Sequence, residues 1–407
     1  MNVYISGISG TGMGPLALMA KQAGMNVSGS DLSEGAVYGE LKNAGIDMEI
    51  GVQDGKFLKK KLEQGVDWFV YTSALPEGHD ELILAKDAGI KCTKRDDFTA
   101  YLVDELGLKM VAVAGTHGKT TTTAMIIWVA LKLRLPVAYI VGTTLGFAPS
   151  GAYHSEDKFF VYEADEYDRN FLKYYPWIAV VTTVSYDHPD IYPTKSKYVE
   201  AFEQFEKQSE TVIESSSFDK DDFKLAGEVR RGDAALAAEA ILKMNPELQR
   251  GKVIEILNEF PGVGRRFERI ADGVYTDYAH HPEEIAATID VAKDEAKKRN
   301  KKGVVVVYQP HQNTRQYEVR EGYRNVFEGV DKIFWLPTYL TREDPNLPIL
   351  TPEELITGLN NKELVEVVNL GDNLVEKVKQ HVGTGYLVIL MTAGPADGWW
   401  REHFASD

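Results

Sequence analysis

The run Val111-Ala112-Val113-Ala114-Gly115-Thr116-His117-Gly118-Lys119-Thr120-Thr121-Thr122-Thr123 restricts this chain more than any other stretch. An apolar, β-prone segment turns on two glycines and continues through Lys-Thr into Ala124-Met125-Ile126-Ile127-Trp128. A buried strand, a glycine turn and a helix in that order suit a nucleoside triphosphate. Glycines let backbone N–H groups approach phosphate oxygens, the helix N-terminus adds positive potential, and a lysine supplies a point charge. Thr120 would turn its hydroxyl toward a phosphate-bound Mg²⁺. Val113 stands where the longer phosphate-loop pattern has its first glycine, so this turn is shorter than usual. ATP is the expected ligand, with Gly115, Thr116, His117, Gly118, Lys119, Thr120 and Thr121 as its residues. The bland alternative is a strand–turn–helix with an incidental lysine.

At 407 residues the chain has material for two or three domains. Its formal net charge of −16 argues against general nucleic-acid or membrane-surface binding. The single cysteine, Cys92, leaves no disulfide framework and no cysteine metal site, which fits a reducing cytoplasm. The N-terminus enters a strand directly, without a signal-peptide pattern. The long apolar stretch 124–141 is broken by Lys132, Arg134 and Pro136 and reads as helix, turn and strand rather than a membrane span. A cytoplasmic monomer or weak homo-oligomer is expected.

The first hundred residues alternate strands and helices. A strand at 3–6 is followed by Gly7-Ile8-Ser9-Gly10-Thr11-Gly12-Met13-Gly14, a helix at 15–23 and a strand at 25–28 ending in Gly29-Ser30-Asp31. This is the layout of a dinucleotide-binding βαβ unit, but the glycine spacing is not strict G-x-G-x-x-G. A diphosphate of some other nucleotide is the better expectation, with Asp31 facing a ribose or base, or simply closing a turn. Such alternation implies a parallel sheet with ligands at the strand C-terminal ends.

Two further strand ends carry chemistry. The strand 159–162 runs into Glu163-Ala164-Asp165-Glu166-Tyr167-Asp168, and the segment 178–184 into Ser185-Tyr186-Asp187-His188. Carboxylates just past a buried strand, in a domain with a phosphate loop, are expected to face Mg²⁺. Glu163 and His188 join Thr120 as the expected metal residues, against a solvated acidic loop and a structural histidine. A helix is expected at 198–207, an alanine-rich one at 233–243, and another at 317–327.

Gly115–Thr123, Glu163-Ala164-Asp165-Glu166 and Asp187-His188 in this order resemble the Mur ligase family, ATP-dependent amide-forming enzymes of peptidoglycan precursor synthesis. The flanks resemble its alanine-adding branch: Gly7-Ile8 to Met13, Val27 to Asp31 and Thr72-Ser73-Ala74 on one side. On the other are Gly262-Val263-Gly264-Arg265-Arg266-Phe267-Glu268, Asp277-Tyr278-Ala279-His280-His281-Pro282 and Gln309-Pro310-His311. Nearly the whole chain is covered.

The resemblance implies an α/β chain of three domains: a Rossmann-like UDP-sugar domain (1–106), a P-loop-type central ATPase domain (107–261) and a Rossmann-like C-terminal domain (262–407). It implies ATP and Mg²⁺ as cofactors, and UDP-N-acetylmuramate and L-alanine as substrates, joined through an acyl phosphate. By motif position Gly10, Thr11, Gly12, Met13, Asp31 and Ser73 would hold the UDP-sugar. Arg266 would reach the ATP phosphates, Asp277 the ribose, and Tyr278, His281 and Arg315 the incoming amino acid, with Lys119, Arg266 and His281 catalytic. The chain departs from the pattern in several places. The middle is short by some tens of residues, and Arg230-Arg231-Gly232-Asp233 stands where the family carries His-Asn-x-x-Asn beside adenine. Gln312 replaces a second arginine, and Ala393-Gly394-Pro395-Ala396-Asp397 a Gly-Ala-Gly-Asp turn. Two other readings stay open: a recycling ligase that attaches a murein tripeptide, suggested by Glu166-Tyr167-Asp168 and Ala279, and a regulatory binding protein without ligase activity.

Overall fold

The computed structural model describes all residues except 73–74, 189–190, 342 and 406–407. Its strands form three sheets. In the first, β1 (Asn2–Ser6), β2 (Asn26–Asp31), β3 (Asp47–Ile50), β4 (Trp68–Tyr71) and β5 (Lys91–Lys94) lie in the order β3-β2-β1-β4-β5, all parallel. The order reverses between β1 and β4, so the crevice for a ligand opens beyond their C-terminal ends.

The second sheet contains β6 (Lys109–Ala114), β7 (Val137–Ile140), β8 (Gly151–Ala152), β9 (Phe159–Glu163), β10 (Ile178–Val181) and β11 (Val212–Ile213) in the order β11-β10-β6-β9-β7-β8. Only the β7/β8 pair is antiparallel. Because β6 lies between β9 and β10, the turns that leave all three strands meet at one edge.

These two sheets share a hydrophobic core that runs from Val3, Ile5 and Leu16 through Phe98 to Ala112, Phe160 and Phe202. The helix Met13–Gln22 packs closely enough on the second sheet that a Cβ on Gly151 would stand 2.3 Å from Pro15 O. Glu40 accepts from both the backbone N and the hydroxyl of Ser150 at 2.9 Å. Residues 1–223 and 232–261 accordingly form one compact unit, and 224–231 with 262–407 form another.

The second unit holds the third sheet: β12 (Glu268–Ala271), β13 (Val274–Asp277), β14 (Val304–Tyr308), β15 (Lys332–Trp335), β16 (Val365–Val367) and β17 (Leu387–Met391), ordered β12-β13-β17-β14-β15-β16. β12 runs antiparallel to β13 and the rest are parallel. The all-apolar β14 is buried on both faces, as its lack of alternation requires. Val304, Val306 and Tyr308 enter one core with Ile285 and Trp335, while Val305 and Val307 enter another with Leu374 and Trp400.

One element departs from expectation. Instead of a helix over 317–327, a helix covers Asn313–Val319 and gives way to a 3-10 turn, Arg320–Tyr323. Its start is capped from a distance, with Glu343 accepting from Asn313 N at 3.0 Å and Thr314 N at 3.1 Å. Gly322, a poor helix residue packed against Pro282, lies in the 3-10 turn that follows. The alanine-rich helix is longer than expected, Glu228–Met244.

Candidate active site

The turn after β6 is built as its glycines require. Gly115 has φ +136°, and a Cβ there would lie 2.1 Å from Thr182 Oγ1. Gly118, at φ +85°, has no room for one either, since Asp233 Oδ1 would be 2.5 Å away. The turn is stitched to the end of β10: Thr116 N donates to Thr183 O at 2.6 Å, and Thr182 Oγ1 donates to His117 O at 2.5 Å. The helix Lys119–Lys132 starts behind Gly118 without a side-chain cap. Uncapped N–H groups at a helix N-terminus are the donors that a phosphate needs. Thr121 lies half-buried in the first turn of that helix.

Lys119 donates to Gly115 O at 2.6 Å and lies 2.8 Å from Glu166 Oε2. Burial alone would push its ammonium toward neutrality, but the carboxylates of Glu166, Asp165 and Glu163 outweigh that and hold it charged, above the usual lysine range. Thr120 Oγ1 donates to Glu163 at 2.9 and 3.0 Å, joining the turn after β6 to the end of β9. His188, at φ +55°, brings Nε2 to 3.8 Å from Glu166 Oε1 and 3.6 Å from Asp187 Oδ2. Of the three expected metal residues, Thr120 thus bonds Glu163, and His188 lies beside Glu166 and Asp187. Among the described residues no trio of His, Cys, Asp or Glu is gathered for a metal.

Two tyrosines behind the turn were not singled out from sequence. Tyr198 OH pairs with Thr116 Oγ1 at 2.7 Å, and Tyr192 OH donates to Glu166 O at 2.6 Å. Both come from the thin middle of the chain, where nothing but helical periodicity was legible.

The glycine turn after β1 is organised by Asp31, whose oxygens accept from Ser9 N at 2.8 Å and Leu32 N at 2.7 Å. Gly10 and Thr11 are exposed on this turn and Gly12 is half-buried. Met13 is in the core and its amide donates to Gly10 O at 3.1 Å, so it shapes the turn. Ser73 lies outside the described residues. Beneath the turn sits a buried carboxylate, Glu81, which accepts from Tyr4 OH, Ser6 Oγ and Ser30 Oγ, each at 2.7 Å.

In the second unit Asp277 is 6% exposed and its oxygens accept from Phe267 N at 2.6 Å and Ala279 N at 2.7 Å. Burial pushes its carboxyl above the usual range, with Arg266 and the two amides opposing. Tyr278 lies under both arginines of the Arg265-Arg266 pair, 4.5 and 5.2 Å from its ring centre. His281 precedes the helix Pro282–Lys298 and its amide donates to Glu284 at 3.3 Å. At the neighbouring His280, Nδ1 lies 3.2 Å from Glu284, and the ring packs against Tyr278 and His311. Arg315 is half-buried in the first turn of its helix. Gln312 adopts φ +60° and donates to Thr341 O at 3.2 Å. Asp397, in the altered glycine turn, accepts from Thr276 Oγ1 at 2.7 Å.

Comparison with known proteins bears on all three sheets. The Mur ligase family catalytic domain matches residues 2–105, the Mur ligase middle domain 113–214, and the Mur ligase glutamate ligase domain 265–394. A UDP-N-acetylmuramate–L-alanine ligase of Paenarthrobacter aurescens is 30% identical over 96% of this chain and 94% of its own. This chain belongs to the Mur ligase family. The family is one of ATP-dependent ligases, and the chain has its three-domain α/β architecture. Another relative of the same description, from Clostridium tetani, is 28% identical over 96% of this Mur ligase and 95% of its own length. Among solved structures, the UDP-N-acetylmuramate-alanine ligase of Thermotoga maritima matches with a TM-score of 0.77 at 21% identity, covering 99% of this chain and 98% of that one. A murein peptide ligase of Psychrobacter arcticus matches with a TM-score of 0.65 at 24% identity, covering 98% and 97%. At those identities the two structures speak for the fold alone. No helix among the described residues is long and apolar enough to cross a membrane.

Proposed function

We propose that this Mur ligase joins L-alanine to the lactyl carboxylate of UDP-N-acetylmuramate at the expense of ATP, within the cytoplasm. The observation that carries the reading is the phosphate turn with Lys119 held charged between its own loop and buried Glu166, in a chain whose relatives of that description align over nearly its full length. Domain limits of 1–106, 107–261 and 262–407 are proposed with it.

In the first step a carboxylate oxygen bonds to the γ-phosphorus of ATP and the bond to the β-phosphate bridge breaks, releasing ADP. Two anions meet, so the barrier is lowered chiefly by neutralising charge and holding the groups in line. Lys119 and the N–H groups of the turn supply positive potential. Thr120 and Glu163 offer hard oxygen donors side by side and suit Mg²⁺, which would screen the phosphates when bound. His188 is the weaker ligand candidate, because an imidazole is softer than Mg²⁺ prefers. In the second step the amine attacks the acyl carbon, inorganic phosphate leaves and the amine sheds a proton. An α-amino group has a pKa of about 8 even at a chain terminus, so a base helps at neutral pH, and His281 is proposed for it. Arg266, Asp277, Tyr278 and Arg315 are assigned, by motif position, to ATP and the amino acid. Arg315 has the planar fork that pairs both oxygens of a carboxylate.

The test is phosphate release from ATP in the presence of UDP-N-acetylmuramate, Mg²⁺ and one amine at a time. Release with L-alanine is expected, with glycine and serine discriminated by only about 1–3 kcal/mol. Release with the murein tripeptide alone would make it a recycling ligase, and none with either amine would leave a binding protein.

A further inference from the structure

The glycine turn after β1 has no cation of its own between Gly7 and Gly14, yet a nucleotide sugar brings a diphosphate. A positive charge comes from another element. Arg95 opens the helix Arg95–Glu105, and its guanidinium lies so near Gly12 that a Cβ there would stand 2.5 Å from Nη1. The group is held from behind. Nη2 donates to Asp96 Oδ1 at 3.1 Å, and Asp96, 3% exposed, accepts from Tyr162 OH at 2.9 Å and Tyr174 OH at 2.8 Å.

An ion pair made only to join two pieces of structure would use the donors it buries. Here Arg95 Nε is buried with no hydrogen-bond partner among the described residues, and so is Ser9 Oγ on the turn itself. Buried donors without partners are few in folded proteins, and each calls for an explanation such as a ligand. Two of them at one glycine turn, one on a guanidinium, fit an oxyanion. The adjacent residue reinforces the placement: Lys94 Nζ lies 2.7 Å from Asp168 Oδ2 in the acidic loop after β9.

We propose that Arg95 is an anion-binding residue of the nucleotide-sugar site, pairing with an oxyanion of the acceptor at the Gly10–Met13 turn. A planar fork reads a diphosphate or a carboxylate equally well, and the acceptor carries both. The inference rests on the function proposed above. Asp96 is a positioning residue: it fixes the guanidinium and, through Tyr162, links it to the strand that ends in Glu163.

The experiment compares wild type, Arg95→Met and Arg95→Lys by steady-state kinetics with all three substrates and by calorimetric titration with UDP and UDP-N-acetylmuramate. Arg95→Met is expected to raise KM for UDP-N-acetylmuramate about 10- to 100-fold, the loss of one or two charge-assisted hydrogen bonds. KM for ATP and L-alanine should move no more than about threefold, a split that a general loosening of the fold would not produce. Arg95→Lys, which keeps charge without the fork, should fall between, and serves if the methionine variant does not fold. Weaker binding of UDP assigns Arg95 to the diphosphate; weaker binding of UDP-N-acetylmuramate alone assigns it to the lactyl carboxylate. An unchanged KM for the sugar in a folded variant, or equal losses for sugar and ATP, overturns the proposal. A wild type that binds UDP yet releases no phosphate would sink the ligase reading while leaving Arg95 testable by the titration.

Discussion

The two glycine turns of the first unit solve one problem by different routes. Each leaves an inner strand of a parallel sheet, β1 or β6, and each has a cation beside it backed by a buried carboxylate. At the second turn the cation is Lys119, four residues after Gly115, backed by Glu166. At the first it is Arg95, more than eighty residues after Gly12, backed by Asp96. A local cation makes a motif that can be read from the chain, whereas a distant one appears only when the fold brings it in. The comparison also separates tasks. Lys119 sits among three carboxylates, where the proposed reaction must manage charge, while Arg95 is fastened by a carboxylate and two tyrosines, where the proposed site would hold its substrate.

The largest break should come at the reacting end. Lys119→Met removes the charge at the phosphate turn and should lower kcat by about 10²–10³-fold, the usual cost of losing one such electrostatic donor. It also leaves Glu166 buried without its ammonium, which should cost about 3–5 kcal/mol of stability, read as a fall in Tm. Next is Glu163→Gln, which weakens the oxygen pair with Thr120. The Mg²⁺ concentration for half-maximal phosphate release should rise about 10- to 100-fold, the range seen when a metal site's supporting groups are altered. An unchanged requirement would move the metal elsewhere.

At the holding end, Gly12→Ala puts a methyl against Arg95 Nη1. It should raise KM for the nucleotide sugar about tenfold, part of a charged hydrogen bond, and leave KM for ATP alone. The smallest effect is the pH dependence of Asp96→Asn. Burial pushes the Asp96 carboxyl up, but Arg95 and the tyrosine hydroxyls together outweigh it and hold it below the usual range. A carboxyl with a depressed folded value contributes stability above its unfolded pKa of about 4, and that contribution disappears as pH falls through the folded value. Wild type should therefore exceed the variant by about 1 kcal/mol at pH 7, and the gap should close in acid. A gap independent of pH would mean that Asp96 is not ionised in the fold.

Much of the fold was legible because strands buried on both faces read as continuous apolar runs, and because glycine turns punctuate them. The proposed phosphate turn was legible for the same reason: backbone geometry, charge and hydroxyl stand within nine residues. Other features were not, because they depend on partners far apart in sequence. Glu343 caps a helix thirty residues upstream and so moves its start. Asp31 ties down Ser9, twenty-two residues before it. Glu81, Tyr192 and Tyr198 lie in segments whose periodicity announces only burial. Met13 ends the glycine turn with its side chain in the core, a burial that its place in a glycine-rich run does not announce.

The most direct measurement is the phosphate released from ATP by this Mur ligase with UDP-N-acetylmuramate, Mg²⁺ and L-alanine, with the amine then omitted. Sustained release that requires both acceptor and L-alanine is expected, with near-complete loss in Lys119→Met. Release that ignores the amine, or that survives removal of Lys119, would contradict it.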